Sequence, residues 1–151
     1  MAAARVLVAV IARSIARVED QVTVPQLRVL VMLATQGPLT MIAVASALGV
    51  HSSNATRAVD RLVAAGLVDR RDSPTDRRRV RLTLTETGQA LVDSVFDDRR
   101  AAIARIVDRM PETKRRALPG ALESFAEAAG EVPEQHVDDV QWDALGLVGG
   151  R

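Results

Sequence analysis

HSSNATRAVDRLVAAG, residues 51–66, is the stretch on which the reading of the whole chain turns. Ala55, Ala58, Val59, Leu62 and Val63 recur at three- and four-residue steps, so they line one face of a helix of about 52–65. The opposite face carries Ser53, Asn54, Thr56, Arg57 and Arg61. A short, polar and basic face of this kind suits insertion into a DNA major groove, where Arg57 would reach guanine O6/N7 and Arg61 a phosphate. Ser52, Ser53 and Asn54 open the helix; they serve as its cap, as contacts from its N-terminal turn to phosphates and base edges, or as both.

The sequence on either side fits that helix. Upstream, LTMIAVASALGV (39–50) reads as a third helix capped by Thr40 and ended at Gly49, where a left-handed backbone suits glycine. Downstream, 67–71 and 79–85 read as two strands around the turn cluster Asp72-Ser73-Pro74-Thr75-Asp76. Arg77, Arg78 and Arg79 sit at the tip of that hairpin. Helix, tight turn, helix and hairpin together make a mainly α chain with a small β-wing, a winged helix-turn-helix flanked by helices at both ends.

The flanks complete the pattern. Val6, Leu7, Val10, Ile11, Ile15 and Val18 form one apolar stripe over a first helix at 3–18. Thr23 and Gln26 make a capping box for the second, with Leu27, Leu30, Val31 and Leu33 as its buried face. Thr85 caps a fifth helix of 86–109, whose apolar residues, from Leu91 to Met110, repeat near 3.5 residues. That is longer than a small lobe needs for its own core, so it predicts a stalk toward a second copy of the chain. Pro119-Gly120 predicts a kink or break near 116–120 in the sixth helix.

Thr23-x-x-Gln26, Thr56-Arg57, Gly66-Leu67-Val68-x-Arg70, Asp76-x-Arg78 and Leu84-Thr85-x-x-Gly88 occur in order. In that spacing the chain resembles the MarR family of bacterial transcriptional regulators, from residue 23 to about 91. The resemblance implies DNA contacts at Ser53, Asn54, Thr56 and Arg57. It also implies entry of Arg78 into a minor groove, oriented by Asp76; a narrow A·T-rich groove would attract such an Arg. It further implies homodimerisation through the terminal helices, for which Leu7, Val10, Ile11, Ile106, Met110, Leu122 and Phe125 are the candidates. Members often sense a small aromatic or phenolic effector between lobe and arms; with no Tyr, two Phe and one Trp, this chain has little aromatic surface for one. The family's last helix usually runs without interruption, from which Pro119-Gly120 departs.

The implied organisation is an N-terminal dimerisation helix (1–22), a DNA-binding lobe (23–88), C-terminal dimerisation helices (89–130) and an acidic tail (131–151). The tail would dock on the arms or cover the basic face. Charge agrees with this layout: residues 51–81 hold eight Arg against four Asp, whereas 82–151 hold eight basic and thirteen acidic groups. A polyanion partner at one face, double-stranded DNA, is the expectation.

The absence of cysteine excludes disulfides and thiolate metal sites within the chain. No nucleophile constellation, Gly-rich phosphate loop or metal-ligand spacing is present, so neither an enzyme nor a cofactor is expected. No apolar run is long enough to span a membrane, and Arg13 and Arg17 cut the N-terminal one; a cytoplasmic protein without membrane contact is expected. The competing reading is a winged helix that docks on proteins and not on DNA. The Arg-rich wing and the lack of aromatic anchors weigh against it.

Overall fold

Nine elements follow one another in the computed structural model, which describes residues 1–72 and 80–130. They are α1 (Ala2–Ala16), α2 (Val24–Gln36), β1 (Leu39–Thr40), α3 (Met41–Leu48), α4 (Ser52–Ala64), β2 (Val68–Asp72), β3 (Val80–Leu84), α5 (Glu86–Val107) and α6 (Glu112–Ala128). The expected acidic tail and the wing tip at 73–79 lie outside the described residues.

Local chemistry sets the helix boundaries. The Thr23 backbone N–H donates to Gln26 Oε1 at 2.8 Å, which fixes the start of α2. Thr40 Oγ1 accepts from the Ala43 N–H at 3.2 Å and starts α3. Gly49 ends α3 with φ 65°, and its N–H returns to the Ser46 carbonyl at 3.0 Å. A side chain with a Cβ would resist that left-handed backbone.

α2 is the centre of the core. Every residue from Gln26 to Leu33 is buried, not only the face expected from Leu27, Leu30, Val31 and Leu33. The reason is position: α2 touches α3, α4, α5 and β3 at once. Around it close Val44 and Leu48 of α3, Val59 and Leu62 of α4, and Val92 and Val95 of α5.

The sheet has the order β1-β3-β2 and is antiparallel throughout, with Val68 opposite Leu84 and Arg70 opposite Leu82. β1 pairs Leu39 with Leu82 and Thr40 with Arg81. This third strand is an addition to the expected hairpin; two residues are too few to show a period. The first hairpin strand begins, and the second ends, one residue inside its expected bound; the expected start of the second at Arg79 lies outside the described residues.

Thr85 joins lobe to stalk. Its Oγ1 donates to the Gly66 carbonyl at 2.7 Å and accepts from the Gly88 N–H at 3.0 Å, while its own N–H donates to the Leu67 carbonyl at 3.2 Å. Gly88 lies so close to this joint that a Cβ there would stand 2.1 Å from the Leu67 carbonyl oxygen.

Past Phe96, α5 leaves the core behind. Of the kink or break expected near 116–120, the break does not occur: α6 is continuous, with Pro119 inside it. Proline removes one N–H and frees the carbonyl four residues back. α6 buries none of its residues, so water can satisfy that carbonyl, and Ala117, Leu118 and Ala121 favour the helix on both sides.

Candidate nucleic-acid interface

The candidate reading helix, α4, is anchored by Ala55, Val59 and Leu62, all 0% exposed. Those three residues fix its rotation about its own axis. Ser52, Ser53, Asn54, Arg57 and Arg61 are thereby exposed, with Thr56 half-buried beside them. The first turn of α4 has no side-chain cap: His51 is the N-cap residue, it is exposed, and it contributes only its carbonyl, which accepts from the Asn54 N–H at 2.9 Å. The open N–H groups of that turn remain available to an anion.

Side chains on this face are partly engaged with one another. Arg57 Nη2 donates to Asn54 Oδ1 at 2.6 Å, and Arg57 Nε lies 3.5 Å from the Ser53 carbonyl. The guanidinium is therefore folded along the N-terminal turn of α4. Thr56 Oγ1 donates to the Ser52 carbonyl at 2.8 Å. Its proton is committed within the helix, so Thr56 offers a nucleic acid only its oxygen lone pairs and its methyl group. The Arg61 side chain has no hydrogen-bond or ion-pair partner among the described residues.

Asp60 is the one acid exposed on α4, and Arg70 of β2 is paired with it. The pair ties α4 to the root of the wing and neutralises a carboxylate that would otherwise repel phosphate. Both side chains are about half exposed, so the pair contributes little to stability, about 0–1 kcal/mol. Arg71 and Arg81 face each other across the β2–β3 register and add positive charge at the wing root. Asp76, Arg77, Arg78 and Arg79, the wing-tip candidates, lie outside the described residues.

A cavity of about 670 Å³ adjoins the same face, between the start of α2 and α4. Gln26, Arg28, Asn54, Arg57 and Arg61 are among its lining. No sequence signal marked it, because its walls come from separate helices.

Of the dimerisation candidates, Val10 is buried within its own chain at 3% exposure. Leu7, Ile106, Leu122 and Phe125 are exposed, at 50%, 38%, 55% and 73%. Ile11 and Met110 are half-buried. Among the described residues no group of acids and histidines could hold a metal ion, and no helix is long and apolar enough to cross a membrane.

Comparison with known proteins places this geometry in context. The sequence model of the MarR family matches residues 22–80. The crystal structure of RV1404 from Mycobacterium tuberculosis superposes with a TM-score of 0.75 at 45% identity, covering 89% of this chain and 91% of that one. The HTH-type transcriptional regulator YfiV of Bacillus subtilis is 31% identical over 99 residues, 65% of this chain; the chain spans only 62% of that protein's length. The HTH-type transcriptional repressor MdtR of Bacillus subtilis is 30% identical over 116 residues, 77% of this chain and 75% of that protein.

Proposed function

The chain belongs to the MarR family of DNA-binding helix-turn-helix transcriptional regulators, and on that premise we propose that it is a homodimeric repressor of palindromic operators. The observation that carries the reading is the exposed face of α4, where Ser52, Ser53, Asn54, Arg57 and Arg61 stand clear of the core. Arg57 reads a guanine edge, bidentate through its guanidinium. Arg61 and the open first turn of α4 hold phosphates. Asp76, Arg77, Arg78 and Arg79 enter or flank the minor groove; the sequence pattern Asp-x-Arg supports that part.

Exposed Leu7, Ile106, Leu122 and Phe125 supply the apolar surface of the dimer, with half-buried Ile11 and Met110. A two-fold dimer would set two copies of α4 about 34 Å apart, one turn of DNA, and so would read a palindrome. The name of MdtR supports the repressor role. Relief by a small aromatic effector is carried by family membership alone.

Selection of bound duplexes from a random pool at physiological salt tests the reading. It predicts enrichment of a palindromic consensus with two half-sites one helical turn apart. Absence of enrichment would favour the alternative, a winged helix that docks on proteins.

A further inference from the structure

Four arginines converge on a cleft between α1 and α5, and none of its lining comes from α4. Arg13 and Arg17 stand on the α1 side; Arg105 stands on α5, and Arg109 just past its end. Val10, Ala102 and Ile106 give the cleft apolar walls. Asp98 is the acid in the lining, and Arg17 already holds it in an ion pair. A fifth cation lies beside it: Arg99 is half-buried, its Nε donates to Ser14 Oγ at 2.7 Å, and no carboxylate among the described residues pairs with it. The cleft encloses about 460 Å³, the bulk of one helical turn with its side chains, so it can seat a short peptide segment.

The chain carries the complementary chemistry beyond α6. Residues 131–151 hold five acids, Glu131, Glu134, Asp138, Asp139 and Asp143, against one arginine, Arg151. Three of those acids fall within Val137-Asp138-Asp139-Val140-Gln141-Trp142-Asp143, interleaved with Val137, Val140 and Trp142. Acids set among apolar side chains match a cleft that sets arginines among apolar walls. The segment can also reach it. Three residues lead from Arg109 to Glu112, and α6 runs 17 residues, so Gly130 stands within about 40 Å of Arg109 whichever way α6 points. Extended, residues 131–143 span about 45 Å.

Clustered like charges repel one another, and a half-buried cation needs a counter-charge. We propose that residues 137–143 dock in the α1–α5 cleft of their own chain, with carboxylates toward Arg13, Arg105 and Arg109 and apolar side chains on Val10, Ala102 and Ile106. The covalent link favours the contact, because a tethered segment meets its seat at an effective concentration of about millimolar. Docking also holds α6, which buries none of its own residues, by fixing the chain at both of its ends. The proposal does not depend on DNA binding by α4.

Trp142 is the one tryptophan, and the chain has no tyrosine, so its fluorescence reports the segment directly. Quenching by acrylamide, a neutral quencher, tests the proposal in the full chain, with N-acetyl-tryptophanamide as the standard for an open indole. Four proteins are compared: the parent, Arg105→Gln/Arg109→Gln in the cleft, Asp138→Asn/Asp139→Asn in the segment, and Arg57→Gln/Arg61→Gln on α4. The four arginines are exposed, so their variants should fold, which circular dichroism checks. The cleft and segment variants are also unfolded together and refolded as an equimolar mixture.

Trp142 should be shielded in the parent and in the Arg57/Arg61 variant alike. The cleft and segment variants should each lower the ratio of docked to free segment about tenfold or more, the loss of at least one charge-assisted hydrogen bond, so that quenching approaches the standard. The refolded mixture should give the mean of its two components. Quenching of the parent equal to the standard would overturn the proposal. So would shielding that survives in the cleft variant or in the segment variant. Loss of shielding in the Arg57/Arg61 variant would place the segment on α4, and would equally overturn it. Shielding restored in the mixture would mean that the segment seats in the cleft of a second copy, which would overturn docking within one chain.

Discussion

Replacing Gly88 with alanine should unlock the joint between lobe and stalk. The added Cβ would stand 2.1 Å from the Leu67 carbonyl oxygen and 3.0 Å from a Leu84 methyl carbon. Even a close carbon–oxygen contact rests at about 3.3 Å, so α5 would have to retreat from Leu67 by more than an ångström. That retreat breaks the bond from the Thr85 N–H to the Leu67 carbonyl and strains the Thr85 cap on Gly88. A lost hydrogen bond and a weakened cap cost about 1 kcal/mol each. Forcing apart the packed Leu67 and Leu84 costs about 1–3 kcal/mol more. Alanine's better helix propensity returns about 1 kcal/mol.

The net expectation is a loss of about 3 kcal/mol, or about 6–12 °C in melting temperature for a chain of this size. Thermal unfolding followed by far-ultraviolet circular dichroism, at fixed protein concentration, measures it. Gly120→Ala is the control: it lies in α6 with nothing within 4 Å of the added carbon, so it should hold or raise the melting temperature. A Gly88→Ala protein melting at or above the parent would refute the account of the joint.

Further outcomes follow from the same geometry. Val59→Ala removes two methyl groups from a site with 0% exposure and should cost about 2 kcal/mol or more, read by denaturant titration; a change under half of that would mean that α4 is not anchored as described. Leu122→Glu/Phe125→Glu should convert a dimer to monomer in sedimentation equilibrium without altering the lobe's unfolding transition; an unchanged mass would remove α6 from the dimer surface. Asn54→Ala frees Arg57 from its 2.6 Å bond and should broaden the preference at the base that Arg57 reads, with little change in affinity for random DNA; an unchanged preference would mean that the bond does not orient Arg57. Operator affinity should fall steeply with salt, because Arg-to-phosphate contacts release counterions; a flat dependence would argue against phosphate contacts.

How much of this was legible in the sequence depended on whether the signal was local. α4 was legible because a half-buried helix writes its burial as a 3.6-residue period, and Ala55, Val59 and Leu62 lie where that period puts them. α2 was legible as a helix but not as the centre, since a helix buried on all sides has no face to betray. β1 was too short to see. Of the kink or break expected at Pro119-Gly120, the break is absent because a break follows only where the freed carbonyl lacks a partner, and on an unburied helix water is one.

Gly88 and Thr85 stood in a recognisable motif, yet their reason, the approach of the Leu67 carbonyl, is a tertiary fact. The ties between α1 and α5 were invisible for the same cause: they join Arg17 to Asp98 and Arg99 to Ser14, 81 and 85 residues apart. On the candidate reading face the sequence named Arg57 but not its bond to Asn54, nor the Asp60–Arg70 pair that ties α4 to the wing.

The central claim is that α4 reads base edges through Arg57. The most direct test is the affinity of parent and Arg57→Ala for the selected duplex, with each base pair substituted in turn. The account predicts that the parent loses about 1–3 kcal/mol at one symmetry-related pair of G·C positions, and that the variant loses this discrimination there and nowhere else. Identical profiles for the two proteins, or a uniform loss at every position, would contradict it.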